Sequence, residues 1–98
     1  MTRNHDPALL VLASLADGDK HGYAMMEDIE RFAAIKLGPG TLYGAIARLE
    51  ENGWIAPVPS TDRRQPYTLT ALGRQSLAGE VAALDSVIRT AKKRLKPA

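Results

Sequence analysis

The chain has 98 residues, with 45% hydrophobic residues, 24% charged residues and no cysteine. That composition fits one small globular domain able to bury roughly 60–70% of its unfolded surface, and it excludes disulfides and thiolate metal sites. Thirteen Lys and Arg against 11 Asp and Glu leave a formal net charge of +2, so where the charges lie says more about partners than their sum.

Asp6-Pro7 opens the first helix, because Asp caps free amides and Pro fits the first helical position. The mostly apolar run from Ala8 to Ala16 is far too short to span a bilayer, and Asp17-Gly18 ends it. Asp6 and Pro7 ahead of the run, with no cleavage-like site after it, depart from a signal-peptide layout, so a cytoplasmic protein with no membrane contact is expected. A second helix is predicted from Gly22 to Phe32 or beyond, with Met25, Met26, Ile29 and Phe32 on its buried side. Glu27, Asp28, Glu30 and Arg31 cover the rest as a solvated face.

The third helix is predicted from Pro39 to Asn52, with Gly53 as its left-handed cap. Leu42, Ala45, Ile46 and Leu49 form its core-facing stripe. Opposite them lie Gly40, Gly44, Ala47, Arg48 and Glu51, with Thr41 and Tyr43 on the flanks. Gly within a helix costs roughly 1 kcal/mol relative to Ala, so helix stability alone does not select Gly44. A face this small lets another surface approach the backbone closely. A DNA groove and a second packed helix both meet that description.

Past Gly53 the period changes. Trp54, Ile55 and Val58, and then Tyr67 and Leu69, sit in short stretches bounded by Pro57, Pro59 and Pro66. These read as a two-stranded hairpin of edge strands with the turn PSTDRRQP. Thr70 caps a last helix from Ala71 to about Leu95. Its residues Leu77, Val81, Leu84, Ile88, Ala91 and Leu95 are spaced as a heptad seam. That seam reads as a dimerisation surface or as a face docked on the chain's own first helix, and the two uses can coexist. The cluster Arg89, Lys92, Lys93, Arg94 and Lys96 suits the carbonyl end of a helix. The order is that of a mainly α fold with a small β-hairpin, a winged helix-turn-helix with a long C-terminal dimerisation helix. It is expected to divide into a winged helix-turn-helix domain over 1–70, DNA-binding if the small face of the third helix enters a groove, and a closing helix over 71–98.

The segments HGYAMMEDI (His21 to Ile29), GTLYGAIARLEENGWI (Gly40 to Ile55) and RRQPYTLTALGR (Arg63 to Arg74) resemble the PadR family of bacterial transcriptional regulators. The resemblance covers roughly the first four-fifths of the chain, with the motifs in family order. It implies a winged helix-turn-helix repressor, dimeric through its C-terminal helix, on a pseudo-palindromic operator. A single closing helix is similar to the family's short group. Carried over, Gly40, Thr41, Leu42 and Tyr43 open the recognition helix, Arg48 lies farther along it, and Arg63 and Arg64 lie in the wing. Two positions depart from the family pattern: Gly44 stands where proline is frequent, and Pro66 where an aromatic or basic residue is common. The resemblance also implies a small aromatic or drug-like effector near the dimer interface. Trp54, Met25, Met26 and the leucines of the first helix are candidates for lining its site, and each reads equally as core.

The side-chain chemistry distributes the roles. Lys20 and His21 precede the second helix and Lys36 precedes the third, where free amides favour phosphate. Such contacts position a protein on duplex DNA without reading sequence. Base readout falls to Thr41, Tyr43 and Arg48, with Arg48 able to grip guanine through two hydrogen bonds or else to pair with a neighbouring Glu. Arg63 and Arg64 read as a backbone or minor-groove contact, or as an ordinary solvated hairpin tip. Tyr23 and Tyr67 read as core or as hydroxyls on phosphate. His5 and His21 lack ligand spacing, and no nucleophile-base arrangement or phosphate-cradling glycine loop is present, so no enzyme, metal or cofactor is expected. The alternative class is a winged-helix protein-interaction module.

Overall fold

The computed structural model describes residues 6–97, so His5 lies outside the described residues. The elements run α1 (Pro7–Leu15), β1 (Lys20–His21), α2 (Gly22–Ala33), α3 (Pro39–Glu51), β2 (Ile55–Pro57), β3 (Pro66–Leu69) and α4 (Ala71–Leu95). The Asp6 carboxylate caps α1 by accepting from the Ala8 amide at 3.0 Å. Leu10, Val11, Leu12 and Leu15 are all buried, because α1 packs against α2, α3 and α4 at once. A helix apolar around most of its circumference belongs at the centre of a small core.

The predicted stripe of α3 is the buried one: Leu42, Ala45, Ile46 and Leu49 are each at most 2% exposed. In α2, Met25 and Ile29 are fully buried and Met26 packs beside them, but Phe32 is 50% exposed, contrary to the sequence expectation. The buried row of α2 advances in four-residue steps from Met25 through Ile29 to Ala33, which turns Phe32 off the core.

The sheet has three antiparallel strands in the order β1-β3-β2 rather than two. Lys20 and His21 pair with Tyr67 and Pro66, so β3 is the central strand and not an edge. A two-residue strand carries no alternation, which is why β1 left no periodic signal. Pro66 is tolerated because it stands at the first position of its strand.

α4 is anchored at its start. The Thr70 hydroxyl accepts from the Gly73 amide at 3.0 Å and donates to the Gly53 carbonyl at 2.7 Å, tying the exit of α3 to the entrance of α4. Gly53 takes the expected left-handed conformation, with φ of 76°. Gly73 is backed against the chain: a Cβ there would stand 2.8 Å from the Trp54 carbonyl carbon and from Leu69 Cδ1. Leu77 completes the core, and every residue from 78 to 97 is exposed. None of the described helices is long and apolar enough to cross a membrane.

Candidate nucleic-acid interface

The small-residue face of α3 opens to solvent. Gly40, Thr41, Tyr43, Gly44, Ala47, Arg48 and Glu51 are all exposed. No atom lies within 4 Å of the position a Cβ would take at Gly40 or at Gly44. Close packing against another helix of this chain is therefore not what these glycines serve. Among the described residues, no carboxylate pairs with Arg48, so its guanidinium is also free.

Beside this face lies an open concavity of about 410 Å³, bordered by His21 and Tyr23 from the start of α2, Tyr43 from α3, and Arg63, Arg64 and Tyr67 from the wing. Helix α2 presents its N-terminus here, which carries roughly half a positive charge. Gly22 permits the tight junction, since a Cβ on it would sit 2.8 Å from Tyr43 Cζ. Burial pushes the Tyr67 phenol above its ordinary pKa, with the Glu50 carboxylate and Tyr43 adding to the shift. Tyr67 therefore keeps its proton and can donate to an anion.

His21 caps α2, its Nδ1 accepting from the Ala24 amide at 3.3 Å. Its Nε2 stands 3.3 Å from Arg64 Nη1. A neutral imidazole has one accepting nitrogen, so the cap places the ring proton on Nε2, opposite a guanidinium that can only donate. The Arg64 contact is thus adjacency rather than a hydrogen bond. Arg64 stays available to an acceptor arriving from outside, and Arg63 has no carboxylate partner among the described residues either.

Two sequence candidates stand elsewhere. The Lys20 ammonium turns inward, donating to the Ser14 carbonyl and to Asp17, with Asp28 at 4.0 Å. Ser14, itself buried, donates to Asp28 at 2.8 Å, so Lys20 neutralises the α1–α2 corner and is not a free phosphate ligand. Lys36 is exposed but borders Tyr23, Met26, Glu27 and Glu30 on the acidic side of α2 and is not among the residues lining the concavity. Pro39 is exposed at the start of α3, beside Gly40. Gln65 belongs to the concavity and had no sequence signal beyond standing before Pro66.

The seam of α4 divides. Leu77 is docked in the core, whereas Val81, Leu84, Ile88 and Leu95 are 52%, 43%, 49% and 82% exposed, and Ala91 is exposed with them. Of the effector candidates, Met25 is core, while Trp54 is half-buried beside Leu9, Leu12 and Glu80 around a trough of about 170 Å³.

Helices packed around α1, an outward α3 and a β2–β3 wing over a short third strand define a winged helix-turn-helix protein. Residues 11–79 match the Transcriptional regulator PadR-like family. The chain belongs to that family, whose members are transcriptional regulators. It is similar to Transcriptional regulator Rv3488 of Mycobacterium tuberculosis, at 31% identity over 84 residues, covering 83% of this chain and 78% of that protein. It is 44% identical over 82 residues to a 37.1 kDa protein in transposon TN4556 of Streptomyces fradiae, covering 84% of this chain but only 24% of the longer protein. Its fold is that of a PadR family transcription regulator from Clostridium difficile R20291, with a TM-score of 0.84 at 22% identity, covering 94% of this chain and all of that one.

Proposed function

We propose that this chain is a homodimeric, DNA-binding transcriptional repressor that reads a pseudo-palindromic operator in the cytoplasm. The observation that carries the reading is the open glycine face of α3, with Arg48 unpaired on it and Arg63 and Arg64 unpaired beside it. Pro39, Gly40 and Gly44 let the backbone approach a groove. Thr41, Tyr43 and Arg48 reach base edges, Arg48 suiting guanine. The α2 N-terminus with His21, Tyr23 and Arg64 takes one phosphate, and Arg63 a second.

The exposed apolar residues of α4 support a second copy of the chain as the partner, joined along Val81, Leu84, Ile88, Ala91 and Leu95. Residues 1–70 are then the reading part and 71–98 the coupling part, with the two recognition helices about 34 Å apart across one turn of duplex. The Trp54 trough, between α1 and α4, suits a small aromatic effector that would shift that spacing.

The test is binding to duplex DNA as a function of salt. Affinity is expected to fall steeply, and changing Arg63 and Arg64 together to Ala should lower the slope of log K against log salt by about 1.8 per subunit, or about 3.6 for the dimer. Absence of binding at low salt would remove the DNA reading and leave a protein-interaction module.

A further inference from the structure

Strand β3 begins with a residue that cannot complete its own ladder. Val58 donates to the Pro66 carbonyl at 3.0 Å, which makes Val58 and Pro66 the last hydrogen-bonded pair before the loop of the hairpin. In an antiparallel ladder such a pair exchanges two bonds, the second running from the partner's N–H back to the Val58 carbonyl. Pro66 has no N–H, so that carbonyl lacks its backbone donor where the wing leaves the sheet. The side-chain amide of Gln65 occupies the place: its Nε2 donates to the Val58 carbonyl at 2.9 Å and to the Pro66 carbonyl at 2.8 Å. Both partners are carbonyls, which fixes the nitrogen, not the oxygen, of the amide toward them.

We propose that Gln65 is a positioning residue for the wing, its amide standing in for the N–H that Pro66 lacks and so holding Arg63 and Arg64 over the concavity. The wing has few other restraints: residues 59–65 are all exposed, and apart from the Gln65 bonds the loop is ordered by the Asp62 amide donating to Ser60 Oγ at 3.1 Å and by the Asp62 carboxylate on the Arg63 amide. An arginine on an unrestrained loop must lose its loop entropy on reaching a phosphate, and preorganisation removes that cost. On the side facing β1 nothing is missing, because Tyr67, not Pro66, carries the ladder groups toward Lys20. The absent donor and the amide therefore meet on one edge only, the one that sets the direction of the wing.

The effect on duplex binding rests on the DNA reading above, so two measurements are paired. The first is amide exchange of the free protein in Gln65→Met, which keeps the length of the side chain and removes its N–H groups. The Val58 amide should exchange roughly two- to tenfold faster, the equivalent of one net hydrogen bond, with the Leu12 amide in α1 unchanged. Adding Pro66→Val, which restores a backbone N–H, should return Val58 to its original protection. The second is affinity for the duplex that the unaltered chain selects from a random pool. Gln65→Met should weaken it by roughly two- to tenfold, Pro66→Val should rescue it, and in an Arg63→Ala/Arg64→Ala background Gln65→Met should add nothing. Unchanged Val58 exchange overturns the bracing. Faster exchange with unchanged affinity overturns the positioning role. An unaltered chain that selects no duplex overturns the DNA reading, while the exchange measurement still decides whether Gln65 braces the wing.

Discussion

Gly44 offers a test in which stability and binding move in opposite directions. It lies in the middle of α3, exposed, with nothing within 4 Å of where a Cβ would stand. In the isolated protein, Gly44→Ala therefore meets no steric cost and gains the helix propensity that glycine forgoes. That gain is about 1 kcal/mol, or about 4–8 °C in Tm for a domain of this size. If α3 enters a groove as proposed, the same methyl group would stand between the helix backbone and the duplex. Overpacking of a close-fitted surface costs about 1–3 kcal/mol, which corresponds to a roughly 5- to 150-fold loss of affinity. Calorimetry or thermal circular dichroism reads the first effect, and fluorescence anisotropy with a labelled duplex at fixed salt reads the second. Gly44→Leu should deepen the binding loss while keeping most of the added stability. A variant that gains stability and binds as tightly as the unaltered chain would refute the close-approach argument for this face.

Gly73→Ala should behave differently, because its methyl meets backbone: a destabilisation of about 1–3 kcal/mol is expected by thermal melting, whereas Gly79→Ala, with open space around it, should be stabilising. Ile88→Glu on the exposed seam should convert a dimer to a monomer in analytical ultracentrifugation while leaving the fold intact by circular dichroism. The phenol of Tyr67 is pushed up by burial, so the unfolded chain loses that proton first on the alkaline side. Stability should accordingly decline as pH rises above the ordinary tyrosine value of 10.0, and Tyr67→Phe should flatten that limb of a denaturation profile. Asp17 is held below its usual range by the hydrogen bond and charge of Lys20, so its small contribution is present above 3.8 and is lost as pH falls through the lower folded value. Asp17→Asn should remove that part of the acid limb.

What was legible in the sequence is what periodicity and punctuation encode. The α3 stripe, the Asp6 and Thr70 caps, the Gly53 turn and the full span of α4 all follow from local rules, and the structure carries each of them. Features made by side chains from distant segments were not legible. Lys20 reads as a free cation until Ser14, Asp17 and Asp28 are brought round it by the α1–α2 corner. Phe32 reads as core until the drift of the buried row in α2 is known. The third strand depends on pairing between residues more than forty positions apart, which no local pattern records. In the candidate site, the glycines of α3 were visible as an anomaly, but only the structure says that the space above them is open. Gln65 was invisible because its role is defined by what its neighbour lacks.

The long closing helix has a consequence for dose. Beyond Leu77, about 27 Å of α4 is exposed at every residue, so packing on its own chain contributes little to holding it as a helix. With a second copy laid along it, the order of that segment depends on how much protein is present. Occupancy of an operator that needs both readers then rises with the square of the monomer concentration while dimers are scarce. A modest change in synthesis or degradation of the chain would become a sharper change at the promoter, with the threshold set by the apolar residues of one exposed helix.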